Sequence, residues 1–345
     1  MTSRQAVWTV PAIQALCQKL VPVGDSIERP GTALDEESNT SFESRLVRRV
    51  KTQCNDSYSY QGMFVATPSG LLLAGSHEAP RDPVKAEQVL REGLEKWHNV
   101  SPAERLMTKE VFAEAVAELA KEEEKRQYPE DGLVLRVICR DLPLSDPTQF
   151  KGDDVHRKMY NQDYAWFRKA EARTFLPGEM VVGAKHKVPR EVVARLVRFH
   201  FVDLVRGHTS PYPLEAVELA DLTAEVLELK GEFVVLRYEG QTRSSETHNG
   251  VHLEGKWNRP GPGIPAVQSR GVAAQLEGYA VYDQKAEKFV SFEMAAATER
   301  WGGNAYNGRL QFLDFGPGPM GLAIDLAGDN AAEQLPPLFF RNYGW

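Results

Sequence analysis

Cysteine is scarce in this chain. The three in 345 residues, Cys17, Cys54 and Cys139, are too few and too scattered for a disulfide framework or a cysteine-rich zinc site. Long apolar runs are missing as well. No stretch approaches the ~18 consecutive apolar residues of a membrane-spanning helix. The opening residues Met1–Gln5 reach Trp8 and Pro11 without an apolar leader, so no secretory signal is expected. Excess charge of one sign is modest: 41 basic against 48 acidic side chains leave a net charge of −7, which gives no field favouring nucleic acid or an anionic membrane. Gly-x-Ser-x-Gly, HExxH, P-loop and dinucleotide fingerprints are absent. These absences leave a reduced, cytoplasmic protein with no expected cofactor, whose partner is a small molecule or another protein.

What is present is an ordinary globular composition, 42% apolar and 26% charged. At ~150 residues per domain the length suggests two domains. Residues 11–20 place Ile13, Leu16, Cys17 and Leu20 at helical spacing. Val21-Pro22-Val23 reads as a short strand, residues 28–39 as a loop, and residues 41–52 as a helix through Phe42, Leu46 and Val50. Met63–Ala66 and Leu71–Ala74 read as strands around Thr67-Pro68-Ser69-Gly70. In that turn proline presets φ and glycine accepts a positive one. Asp82-Pro83 then opens a helix, with Asp as cap and Pro where its missing N–H is harmless, and Ala86, Leu90, Leu94 and Trp97 form its apolar stripe.

The order helix, strand, helix, hairpin, amphipathic helix resembles a truncated thioredoxin-like domain over residues 1–98. The segment Gln61–Trp97 is similar to the end of that fold, where strand, PSG-type turn, strand and closing helix occur together. The resemblance implies a thioredoxin-like α/β layer. It does not extend to the active site, because Gly24-Asp25-Ser26-Ile27 stands where Cys-x-x-Cys is required. Dithiol exchange is therefore not expected.

Ser101-Pro102-Ala103-Glu104 is a capping box, and the spacing of Met107, Val111, Ala115 and Leu119 predicts a linker helix to about Arg126. The charge run Glu122–Arg126 reads as its solvated end. Beyond the Tyr128–Gly132 boundary the pattern turns to β. Leu133–Cys139 is a strand, residues 161–176 and 189–199 are read as helices, and Phe201–Val205 as a strand. Two hairpins follow, one turning at Lys230-Gly231 and one at Gln284–Glu287, before a last strand, Leu322–Leu326. The expected fold class is α+β with two domains: a thioredoxin-like layer (1–98), a helical linker (99–130) and a mainly antiparallel sandwich or barrel (131–345).

Candidate chemistry is sparse. Cys54 lies just past Arg48, Arg49 and Lys51, cations that favour thiolate, although a helix C-terminus opposes an anion. His248 and His252 are four apart, as in zinc helices, but Gly250 and the polar neighbours argue for a loop. In RFHFVDLVRGH, a strand would send His200 and Asp203 to opposite faces, and the segment reads either as a general base with a carboxylate or as a structural salt bridge. Trp257, Arg270, Arg300 and Trp301 sit in or beside Gly-rich loops. With His200 they make a candidate ligand site in which indoles form walls and guanidinium forks bind carboxylate or phosphate. The leading reading is a non-catalytic binding or assembly protein. The alternative is an enzyme, with single-cysteine redox chemistry at Cys54 or an active site in the β domain assembled from distant residues.

Overall fold

The computed structural model describes residues 7, 10–21, 50, 53, 62–76, 79, 82–114, 116–117, 128–143, 159–207, 209–249, 267–303, 309, 314–330 and 333–345. Two compact units divide the chain, Met1–Gln127 and Tyr128–Trp345. The segment 99–127 thus belongs with the first unit. Residues 22–23 of the predicted strand, most of the predicted helix at 41–52, the loop at 28–39 and the 122–126 charge run fall outside the described residues.

In the first unit, helix α1 (Pro11–Cys17) precedes an antiparallel hairpin, β1 (Met63–Ala66) and β2 (Leu72–Ser76), and helix α2 (Pro83–Asn99). The turn follows the sequence: Gly70 takes φ +85°, and the Thr67 N–H donates to Leu71 O at 2.9 Å. Asp82 caps α2, accepting from the Val84 and Lys85 amides at 2.9 and 3.4 Å. Ile13 and Leu16 of α1, Met63, Val65, Leu73 and Ala74 of the hairpin, and Ala86, Val89 and Leu90 of α2 share one apolar core. Gly93 is part of that packing, because a Cβ there would strike the Val65 side chain.

The capping box at Ser101–Glu104 forms, but the helix it opens, α3, ends at Arg105. A continuous linker helix is therefore corrected. Helix restarts past Thr108, whose hydroxyl accepts from the Val111 amide at 3.3 Å. Of the expected apolar stripe, Val111 is exposed and Met107 half-buried, and the neighbouring Leu106, Phe112 and Val116 are exposed too.

The second unit is built on one antiparallel sheet of eight strands in the order β4-β3-β10-β9-β8-β7-β6-β5. The strands are β3 (Leu133–Asp141), β4 (Tyr160–Phe167), β5 (Lys185–Lys187), β6 (Val217–Lys230), β7 (Phe233–Asn249), β8 (Val267–Asp283), β9 (Lys288–Trp301) and β10 (Gly318–Leu326). This single sheet replaces the expected sandwich or barrel, since β4 and β5 stand at its two edges instead of pairing with each other. Both hairpin turns fall where the sequence puts them, with Gly231 at φ +64° and Glu287 at φ +53°. Two short helices accompany the sheet, α4 (Lys169–Arg173) and α5 (Arg190–Phe199), and α5 buries Val192, Val193, Ala194, Leu196, Val197 and Phe199. Among the described residues no helix is long and apolar enough to cross a membrane.

Two further expectations are corrected. Residues 160–167 form β4, not a helix. Tyr164, Ala165, Trp166 and Phe167 are all buried, so the second half of the strand is covered on both faces and shows no alternation to read. Phe201–Val205 is irregular backbone, not a strand, although all five residues are buried.

The inner face of the sheet is read from alternate residues. On β9 it carries Phe292, Met294, Ala296, Thr298 and Arg300, while Glu293, Ala295, Ala297 and Glu299 face out. One end of this inner face is aromatic, where Phe175, Tyr238 and Phe292 meet edge to face or tilted with centroids 5.1–6.5 Å apart. The other end is charged.

Candidate functional site

Three buried polar clusters occupy the second unit. The largest is a hub of three arginines and three aspartates. Asp141 comes from the end of β3 and Arg300 from the end of β9. Asp203 and Arg206 come from the buried irregular segment after α5, and Arg309 and Asp314 from the connection between β9 and β10. Arg309 is completely buried. Its Nε and Nη2 donate to Asp203 at 2.7 and 2.9 Å, its Nη1 and Nη2 to Asp141 at 2.8 and 2.7 Å, and its Nη1 also to Asp314 at 3.0 Å. Arg206 pairs with Asp141 and Asp314, each at 2.9 Å. Arg300 grips both Asp314 carboxylate oxygens at 2.8 and 2.9 Å and the Asp314 carbonyl at 2.9 Å. Gly318 makes room for this grip, because a Cβ there would lie 2.9 Å from Arg300 Nη2.

The charges in the hub balance, and its electrostatics follow. Burial alone would raise the Asp141 carboxyl, but the Arg309 hydrogen bonds and the charges of Arg309, Arg206 and Arg300 hold it down at about 2. Burial likewise opposes ionisation of Asp314, and Arg300, Arg309 and Arg206 outweigh it, leaving the group below the usual carboxylate range. For Arg309, burial is overcome by Asp203 and Asp141, so the guanidinium is held charged more firmly than usual. Such a hub has its acceptors committed to its own donors.

The second cluster surrounds Arg270 on β8. Its Nε and Nη2 donate to Glu246 Oε2 at 2.9 and 2.7 Å, its Nη1 to the Thr209 hydroxyl and to Ser210 O (2.9 Å), and its guanidinium lies 4.6 Å from the Tyr212 ring. Burial, only partly offset by Arg270, pushes the Tyr212 hydroxyl up to about 12.

The third cluster is a chain of three groups. His200 Nδ1 lies 3.0 Å from Asp163 Oδ2, and His200 Nε2 lies 2.5 Å from the Tyr343 hydroxyl. The other Asp163 oxygen accepts the Leu338 N–H at 2.9 Å. An ionised carboxylate only accepts, so Nδ1 carries a proton, and in the neutral imidazole Nε2 is the acceptor for Tyr343. A carboxylate-oriented imidazole with its lone pair aimed at a hydroxyl is the arrangement of a general base. Here the hydroxyl belongs to the chain itself, and burial, reinforced by the Asp163 charge, holds the Tyr343 phenol well above its ordinary range.

The candidates read from sequence are distributed over these clusters. Arg270 and Arg300 share the inner face as diagonal neighbours, since Val272 is the residue opposite Arg300. They serve different clusters, and His200 serves the third. Trp301 is next to Arg300 on a strand and therefore faces the other side of the sheet. There it sits on Gly271 with the Arg243 guanidinium 4.7 Å from its ring. His248 lies in β7 opposite Gln268, which corrects the expected loop: the β7–β8 ladder continues past it to Asn249. Trp257, His252 and Cys54 lie outside the described residues. Among the described residues no group of His, Cys, Asp and Glu is arranged to hold a metal. Cys139 is buried, and that burial, with Asp203 nearby, pushes its thiol up to about 12, so it stays protonated.

Sequence reasoning missed Arg309, Asp314, Asp141 and Tyr343, and placed Asp163 in a helix. The density of charge within RFHFVDLVRGH was the one local signal; the partners of its His200 lie 37 residues away, at Asp163, and 143 away, at Tyr343. Comparison with family models, curated proteins and solved structures returned no match to this chain.

Proposed function

We propose that the chain is a non-catalytic binding or assembly protein, joining a thioredoxin-like module without its dithiol to a unit organised on a single antiparallel sheet. One observation carries this reading. The groups best suited to chemistry in the second unit, His200, Asp203, Arg270 and Arg300, are buried and committed to partners of their own chain. Apart from Arg300 Nε, which is buried without a hydrogen-bond partner, groups committed in this way orient and fix structure, whereas a reacting centre keeps a donor, an acceptor or a base facing its substrate. For the first unit the support is the turn at Thr67–Gly70 with its closing helix, in a sequence without Cys-x-x-Cys. The ligand is a small molecule or a protein, with neither nucleic acid nor membrane favoured at a net charge of −7.

The test pairs two measurements on the purified chain. A thermal-shift screen against small molecules and peptides is expected to reveal stabilisation, about 2.7 kcal/mol for a ligand at 100 times its Kd. Dithiol-driven insulin reduction is expected to stay at background. Turnover at thioredoxin-like rates overturns the reading.

A further inference from the structure

The sheet of the second unit leaves one stretch of edge open. β6 runs for 14 residues, Val217–Lys230, but on the side away from β7 its partner β5 covers only Thr223–Glu225. The cover continues one step further, where the Gly183 N–H donates to Val226 O at 2.8 Å and the Val226 N–H to Ala184 O at 2.9 Å. Beyond Val226 the strand runs on to its turn with β7 alone beside it. Lys230 and Phe233 close that two-residue turn. Hydrogen-bonded positions alternate along an antiparallel ladder, so Leu229 points its N–H and C=O away from β7. Among the described residues nothing pairs with them. Val181, Val182, Leu227 and Leu229 are exposed around this stretch, and so are Glu228 and Lys230, whose side chains pair at 2.8 Å.

An open edge with apolar flanks invites a second strand, and sheets commonly guard such edges with lysine. Lys230 alone would serve that end, because pairing two copies would bring like charges together. Glu228 reverses the effect. When two β6 edges pair antiparallel about a two-fold axis at Leu229, residue 228 of each copy stands opposite residue 230 of the other. Each Lys230 then meets the partner's Glu228 on one face of the sheet, and each Leu229 exchanges both backbone hydrogen bonds with the partner's Leu229. The neighbouring registers fail. Centring on Glu228 needs the place beside Val226 that Ala184 holds, and centring on Lys230 sets Glu228 against the partner's Glu232. We propose that the Leu227–Lys230 edge is a homodimer contact, through which two copies join their sheets along β6. Such a contact suits a binding protein and an enzyme alike, so it stands apart from the reading above.

The full chain is taken through sedimentation equilibrium from about 10 to about 500 µM, because so short an edge makes a weak dimer. Reversible dimerisation is expected within that range. Glu228→Lys and Lys230→Glu each set like charges opposite one another and are expected to weaken it at least about tenfold. Combining the two reversals restores opposite charges across the axis, and association is expected to return to within about threefold of the unsubstituted chain. The Leu229 amide gains an acceptor in the dimer, so its hydrogen exchange should slow at least about threefold from the dilute to the concentrated end. A chain that stays monomeric throughout the range overturns the proposal. So does association that ignores the single reversals, or that the double reversal fails to restore. If a substituted chain does not fold, exchange at Leu229 of the unsubstituted chain decides, and a rate independent of concentration overturns the proposal.

Discussion

Arg309 is the most informative residue to remove. Truncating it to alanine takes one cation from a hub of three and leaves Asp141, Asp203 and Asp314 facing Arg206 and Arg300 alone, with the Asp203 oxygens losing donors at 2.7 and 2.9 Å. Breaking a buried pair on one side costs about 3–5 kcal/mol, because the surviving charge stays desolvated. For a unit the size of Tyr128–Trp345, each kcal/mol moves Tm by about 2–4 °C, so a drop of roughly 6–20 °C is expected. The loss should shrink on adding Asp203→Asn, which restores charge balance, by a coupling of about 1–3 kcal/mol. The pH dependence has a definite sign. Asp141 titrates at about 2 in the folded chain, below its unfolded value, so its contribution is present above about pH 4 and is lost as pH falls through about 2. In Arg309→Ala the Asp141 and Asp314 carboxylates lose a counter-charge that holds them down and titrate higher, so the deficit against the unsubstituted chain narrows between pH 7 and pH 4. Urea unfolding followed by circular dichroism at several pH values measures all of this. A cost below about 1 kcal/mol, or a double variant as weak as the two single losses added together, would refute the account of the hub.

Other outcomes follow from single positions. Gly302 has φ +71° and its Cβ would overlap Ser269 O, whereas Gly231 has φ +64° with open space around it, so Gly302→Ala should lose at least about 2 kcal/mol and Gly231→Ala about 1 kcal/mol in the same assay. Equal losses would mean that the close approach contributes nothing. Arg270→Lys keeps the charge but gives up the fork on Glu246 and the reach to Ser210 O, and about 1–3 kcal/mol of stability should go with them. A thermal shift indistinguishable from that of an exposed Arg91→Lys control would contradict this.

How much of this was legible in the sequence depends on whether the signal was local. The caps at Asp82 and Ser101 and the turns at Gly70 and Gly231 are made by residues within five positions of one another, and each forms as read. β4 escaped because alternation marks a strand only when one face is wet, and here Trp166 and Ala165 on opposite faces are both buried. The segment after α5 escaped because its apolar residues imitate a strand while its backbone serves to deliver Asp203 and Arg206 to the hub. Arg300 and Trp301 were grouped by adjacency in sequence, which in a strand sends side chains apart. Arg309 carried no sign of burial, because two of its three carboxylate partners, Asp141 and Asp203, lie on other stretches of chain.

The pairing of β3 with β10 also bears on how the protein is made. Arg136 on β3 meets Asp325 on β10 across 189 positions of sequence, whereas β6 with β7 and β8 with β9 pair through short turns. At about 5–20 residues per second, a ribosome takes on the order of 10–40 s to deliver the partner that β3 awaits. During that interval the β6–β9 meander can form, but its β9 edge and the apolar inner face of β3 have nothing to cover them. The hub cannot form until Asp314 has emerged. The nascent chain thus carries an unfinished sheet until β10 is made, and β10 goes between two strands already present, β3 and β9.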